Sequence, residues 1–209
     1  MTEYLDSLRG TQWPGRCLFV WLLGAAGFLL SAMPAQADIL WLQRSGDKVQ
    51  AWVGELQKPV TSLPELADPQ PVQREGLPAL AYEQAADHFS FAPGGGDARF
   101  RAAHAGTDGV LTHYQARYGR AETKAINDLE LVPTEPGGST FRLFFKGRPA
   151  NASRVNVETA AGWRKSLTPN PDGTVTLDTP IPGLYVLEVT AKVNNASVTV
   201  EGRKYEDVR

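Results

Sequence analysis

Glycine and proline recur about every ten residues beyond residue 37, and this punctuation constrains the chain more than any other feature. Few stretches between those breaks run long enough for a helix, and no internal repeat is visible. Short runs in which apolar and polar residues alternate fill the gaps. That alternation places side chains on opposite faces of an extended strand, and many short strands with regular turns are the signature of a sandwich or barrel. The expected class is therefore all-β, with two small sandwich-type domains following an N-terminal export segment.

The individual runs can be placed. Residues 39–42 (ILWL) and 49–53 (VQAWV) flank Ser45-Gly46-Asp47 and read as a hairpin. Residues 57–80 carry Pro59, Pro64, Pro69, Pro71 and Pro78 and read as a surface crossover without a sheet strand, with one helical turn over 63–67. Strand signals return at 88–91, 98–101 and 110–118, the first two joined by the loop PGGGD at 93–97. Residues 119–128 are polar and lack a continuous apolar stripe, with a brief helical start, so a boundary is placed after the strand ending at 118. Further on, strands are expected at 141–145, 155–157, 175–177, 185–189 and 197–200, with turns at 146–149, 170–173 and 180–183. The domain reading is 1–37 signal peptide, 38–120 N-terminal β-domain, 121–126 linker and 127–209 β-sandwich.

The first 37 residues read as an address. Residues 17–32 (CLFVWLLGAAGFLLSA) carry no charge, Arg9 and Arg16 precede them, and Ala35 and Ala37 form an A-x-A cleavage site. The mature chain is expected to begin at Asp38 and to reside in the periplasm. The alternative is an uncleaved membrane anchor, the only membrane contact foreseen. Cys17 is the one cysteine, so cleavage removes thiol catalysis, cysteine-zinc sites and disulfides together. A net charge of −2 without any Lys/Arg run argues against nucleic acid as a partner, since phosphate contacts need a basic face.

Several motifs in order resemble a known family. They are NDLELVP at 127–133, FKGRP at 145–149, Gly162-Trp163, DGTV at 172–175, PGLYVL at 182–187 and GRKYEDVR at 202–209. Together they resemble domain-of-unknown-function family 4198, secreted bacterial proteins described as nickel-uptake-type periplasmic components. The resemblance spans roughly residues 38–209 and is strongest from Asn127 onward. The turn grammar of the later part also resembles prealbumin-like and carboxypeptidase-regulatory-like sandwiches. The resemblance implies a non-catalytic accessory role in uptake of nickel or cobalt, with a membrane transporter as partner. Two departures stand out: Asp38 occupies a position where the family often has His, and the family usually continues past the Tyr-x-x-Val-Arg segment into another strand.

The residues themselves permit a metal site without specifying one. His88, His104 and His113 are the only histidines, with Asp87 beside the first and Asp108 between the other two. Imidazole and carboxylate suit Ni, Co, Cu or Zn, and a new α-amine at Asp38 would add a ligand. The opposing reading is scattered polar histidines, because spacings of sixteen and nine positions match no ligand motif and strand parity decides where each points. Hydrolase chemistry has less behind it: adjacent Asp87 and His88 face opposite sides of a strand, and neither G-x-S-x-G nor H-E-x-x-H occurs. Gly94 to Gly96 read as a loop tip rather than a phosphate cradle, since no Lys-Ser/Thr follows. No enzyme activity is expected. The second functional reading is an envelope interaction module that recognises a protein or glycan through a sheet edge or a Trp-bearing loop. Trp163, between two turn regions, is its candidate binding residue, whereas Trp41 and Trp52 are expected in cores.

Overall fold

The sequence pattern becomes structure most directly in its first hairpin. In a computed structural model, which describes residues 38–106, 109–192, 198–200, 203–205 and 207–209, strand β1 (Ile39–Ser45) pairs antiparallel with β2 (Lys48–Glu55) across Gly46-Asp47. Gly46 takes a φ of 63°, the left-handed conformation that such a tight connection requires. Leu40 and Leu42 of β1, with Val49, Ala51 and Val53 of β2, all point to one buried face. The signal-peptide reading and Asp108 lie outside the described residues.

The strands that follow are β3 (Lys58–Pro59), β4 (Ala67–Pro71), β5 (Tyr82–Gln84), β6 (His88–Phe91), β7 (Ala98–Ala105) and β8 (Val110–Tyr118). Later come β9 (Leu129–Pro133), β10 (Thr140–Phe145), β11 (Arg148–Ala150), β12 (Val155–Thr159) and β13 (Arg164–Leu167). The last are β14 (Thr174–Thr176), β15 (Tyr185–Glu188), β16 (Val198–Val200), β17 (Arg203–Tyr205) and β18 (Asp207–Val208). No helix occurs among the described residues, and the protein is all-β.

Two sheets share the first core. One runs β1-β2-β6-β5 with β3 appended to β2; the other runs β18-β8-β7-β4. Phe89 and Phe91 from the first meet Phe100 from the second, with Phe89 and Phe100 stacked at 5.2 Å between ring centres. Burying each such ring contributes about 1.5–3 kcal/mol, so these aromatics dominate the layer. A second core is shared by the sheet of β9, β10, β11 and β14 and the sheet β13-β12-β15, around Phe141, Val155, Val157, Leu167 and Val175.

Four details depart from the sequence reading. Residues 63–67 form no helical turn; instead the N–H of Leu63 donates to Ala86 O, and Leu63 and Leu66 pack on the first core. Within the proline-rich crossover, β4 is a strand after all. It sits at the edge of its sheet, where a missing proline N–H leaves no ladder bond unmade, and its register slips between Ala67 and Gln70. The polar stretch 119–128 is not helical at its start. Finally, the chain's last residues return to the first pair of sheets: β18 pairs with β8 in parallel, and Tyr205 packs with Ala103 and Leu111.

Candidate functional site

The register of the sheets decides where each histidine goes. His88 lies on β6 beside Trp52 of β2, the two rings stacked at 4.5 Å and 18°. Its Nδ1 is 2.7 Å from Asp87 Oδ1, and its Nε2 is 3.1 Å from the side-chain nitrogen of Gln50. With Nδ1–H donating to the carboxylate, Nε2 accepts from Gln50, so both ring nitrogens are already engaged. His104 pairs across the sheet with Thr112, whereas His113 pairs with Ala103. Facing residues share a side of the sheet, so His104 and His113 project from opposite faces. The Nδ1–H of His104 donates to Glu65 O at 2.9 Å. The surrounding protein disfavours the His113 imidazolium and lowers its pKa; Asp128 opposes that shift and Arg101 adds to it.

Asp38 is exposed at the start of β1, and among the described residues no three His, Cys, Asp or Glu side chains gather as metal ligands do. The sequence-derived set of His88, His104, His113 and Asp38 is thus not gathered into a ligand cluster among the described residues, although Asp38, His104 and His113 all line the groove described below. Trp163 packs edge-on against Tyr185, 5.9 Å between ring centres, at the margin of the second core. Its backbone N–H donates to Thr159 Oγ1. Trp41 is only 4% exposed, as expected of a core residue.

What the fold does assemble is a groove of about 1310 Å³. One wall comes from β1 and β8, the other from β10 and the stretch 179–191 that includes β15. β1 and β15, both lining it, are the end strands of their sheets, and β18 with Arg209 is bonded to β8 from Val110 to the His113 N–H. Trp41, Leu143, Leu184 and Val186 make much of the lining apolar, while Asp38, Asp128, Glu188, Lys146 and Arg209 supply charges of both signs.

Two exposed apolar side chains stand at the rim. Phe145 and Ile181 are each 39% exposed, among the most exposed large hydrophobics of the described chain. Both are held by local structure. Phe145 closes the β10–β11 hairpin opposite Arg148, over the turn Lys146-Gly147, whose φ values of 49° and 72° are those of a type I′ turn. The Lys146 ammonium sits 5.7 Å from the Phe145 ring centre. Ile181 is clamped by Tyr185, whose hydroxyl accepts from the Ile181 N–H at 2.9 Å and donates to Ile181 O at 2.7 Å. The Phe144-Phe145 pair carried a sequence signal, since adjacent aromatics in an alternating strand cannot share one face. Ile181, between two prolines, carried none.

A buried charge cluster lies beside the groove and contributes Arg117 and Glu130 to its lining. On the outer face of β7 and β8, Arg99 is 2% exposed; its Nε donates to Glu130 Oε1 at 2.9 Å and its Nη1 to Glu122 Oε2 at 2.6 Å. Arg117 Nη1 donates to the same Glu130 oxygen at 3.0 Å, and its Nη2 pairs with Asp97. Glu130 Oε2 accepts the N–H groups of Ile126 and Asn127, each at 2.8 Å. Residues 119–130 are thereby strapped across the first pair of sheets and lead directly into β9. Burial pushes the Asp97 carboxyl up, but the hydrogen bonds from Arg117 and from the N–H groups of Ala121 and Glu122, with the Arg117 charge, hold it below the usual range. Glu122 is lowered in the same way: burial opposes, and Arg99 and Arg74 prevail. Sequence reading placed Glu122 in a linker and gave no part to the other four, because charges this far apart leave no periodic trace.

Comparison with family models, with curated proteins and with solved structures finds no match for this chain.

Proposed function

We propose that this protein is an exported, non-catalytic interaction module that captures a segment of another protein in the groove between β8 and β15. The observation that carries this reading is the pair of exposed apolar side chains, Phe145 and Ile181, both held by local structure at the rim of that one groove. Apolar residues held at a rim by a hydroxyl clamp and a tight turn are preorganised for contact, which lowers the ordering cost of association. Aromatic and aliphatic anchors beside a pocket are where binding energy concentrates at protein interfaces. Export draws its support from the uncharged run at 17–32 and the A-x-A site after it. The metal-uptake reading rests on resemblance, and the engaged nitrogens of His88 with the opposed faces of His104 and His113 give it no further support.

Panning a random twelve-residue peptide display library tests the reading. The target is the unit from residue 36 to 209, which is compact by itself. The double variant Phe145→Asp/Ile181→Asp serves as counter-target. Peptides are expected to be enriched on the unaltered protein and to lose at least tenfold in affinity for the variant. Enrichment of none, or of peptides indifferent to the variant, would overturn it.

A further inference from the structure

β4 and β5 are end strands of the two sheets that share the first core, and residues 72–81 cross from one to the other. Beside that crossing lies a cleft of about 280 Å³, small for a ligand site. Phe91, Ala98 and Arg99 line it, and all three are buried, so the cleft reaches the packed interior of the sheets. Its far wall is the glycine loop at 93–97. An added Cβ would lie 2.8 Å from Gln73 Oε1 at Gly94 and 2.7 Å from Glu122 Oε1 at Gly96, so the loop closes on those two side chains as only glycine can. The N–H groups of Gly94, Gly95 and Gly96 have no acceptor among the described residues.

The crossing brings a cation and an apolar side chain to the same cleft. The N–H of Leu77 donates to Arg74 O at 3.2 Å, a turn that sets the two residues close together, and the Gln73 side chain holds Pro78 O. Leu77 is the most exposed large hydrophobic side chain among the described residues, whereas Leu80 packs on the first core. The Arg74 side chain is exposed but steered: its Nη2 pairs with Glu122 Oε1, and Glu122 Oε2 accepts from the buried Arg99 at 2.6 Å. A guanidinium carries five N–H donors, and those of Arg74 not spent on Glu122 have no acceptor among the described residues.

The geometry points to a second binding site, separate from the groove, for a small carboxylic acid with an apolar body. The carboxylate takes the free donors of Arg74, a planar fork suited to it, with the glycine N–H groups at 94–96 as further donors. The apolar body lies against Leu77, Leu80 and Phe91. One exposed cation matches one negative charge, whereas a phosphate dianion would set a second charge beside the Glu122 carboxylate. Holding Arg74 through a carboxylate that is itself fixed lowers the cost of ordering that side chain on binding.

A proton–nitrogen NMR titration of the unit 36–209 at pH 7 tests the assignment with hexanoate and phenylacetate, each beside its uncharged primary amide and beside acetate. At least one of the two acids should saturate and move the Gly95, Gly96 and Leu77 amide signals, with its primary amide and acetate at least tenfold weaker. Arg74→Gln should weaken that acid at least tenfold, and Arg148→Gln, an exposed arginine outside the cleft, should leave it unchanged. The site is overturned if neither acid saturates, or if Arg74→Gln binds as the unaltered protein does. Equal losses in Arg74→Gln and Arg148→Gln would show attraction to surface charge alone and overturn it as well. Acetate or the primary amide binding as tightly as the acid would overturn the assigned ligand class.

Discussion

Glu130 ties both arginines of the buried cluster to the backbone of the strap. One of its carboxylate oxygens accepts from two arginines and the other from two backbone N–H groups, at 4% exposure. Removing it takes one of two carboxylate partners from each of the buried Arg99 and Arg117, leaving Glu122 and Asp97, and strips the Ile126 and Asn127 N–H groups of their acceptor; breaking a buried pair from one side costs about 3–5 kcal/mol. Glu130→Ala should therefore lower the urea midpoint by an amount equivalent to that loss, with an unchanged slope if unfolding remains two-state. The pH dependence follows from its neighbours. Asp97 and Glu122 have folded pKa values below their unfolded ones, so their contribution is complete above the unfolded values near 4 and is lost as pH falls through the lowered ones. Stability measured by urea titration should hold from pH 7 to about pH 5 on their account and drop steeply below pH 4; in Asp97→Asn that acid drop should be shallower.

Strands with strict alternation were legible from sequence, and strands made by tertiary pairing were not. The bounds of β8 and β6 coincide with the runs at 110–118 and 88–91; in β6, Phe89 and Phe91 share one buried face, which imposes a period of two. β4, with two prolines, and β5, with all three residues exposed, have no such face and exist through their partners β7 and β6. The same limit applies to the site. His104 and His113 are visible as residues, but their opposite orientation depends on a cross-strand register that no single strand contains. The hairpin turn at Lys146-Gly147 was legible, yet not its conformation. Lys146 takes a φ of 49° where Asn or Gly is favoured. Lys146→Asn should stabilise the fold by about 0.5–1 kcal/mol, read as a higher urea midpoint. It should also free the Phe145 ring from its cation.

At the scale of the whole chain, the two pairs of sheets are joined by more than a connection. The strap 119–130 is pinned to β7 and β8 by the buried cluster, the Lys146 N–H donates to Asp128 O at 2.6 Å, and Gln57 reaches Glu158 at 2.7 Å. Gly119 permits the closest approach: its φ is 116°, and an added Cβ would overlap the Asp97 carboxylate. Such anchoring gives the groove fixed walls, so its apolar rim is not presented by chance of a loose hinge.

The most direct measurement is site-specific photo-crosslinking in the cells that make the protein, with a photoreactive phenylalanine analogue at Ile181 and, as control, at Ser166 on exposed β13. The account predicts a discrete covalent adduct to one other protein from position 181 and none from position 166. The same adducts from both positions, or none from position 181, would contradict it.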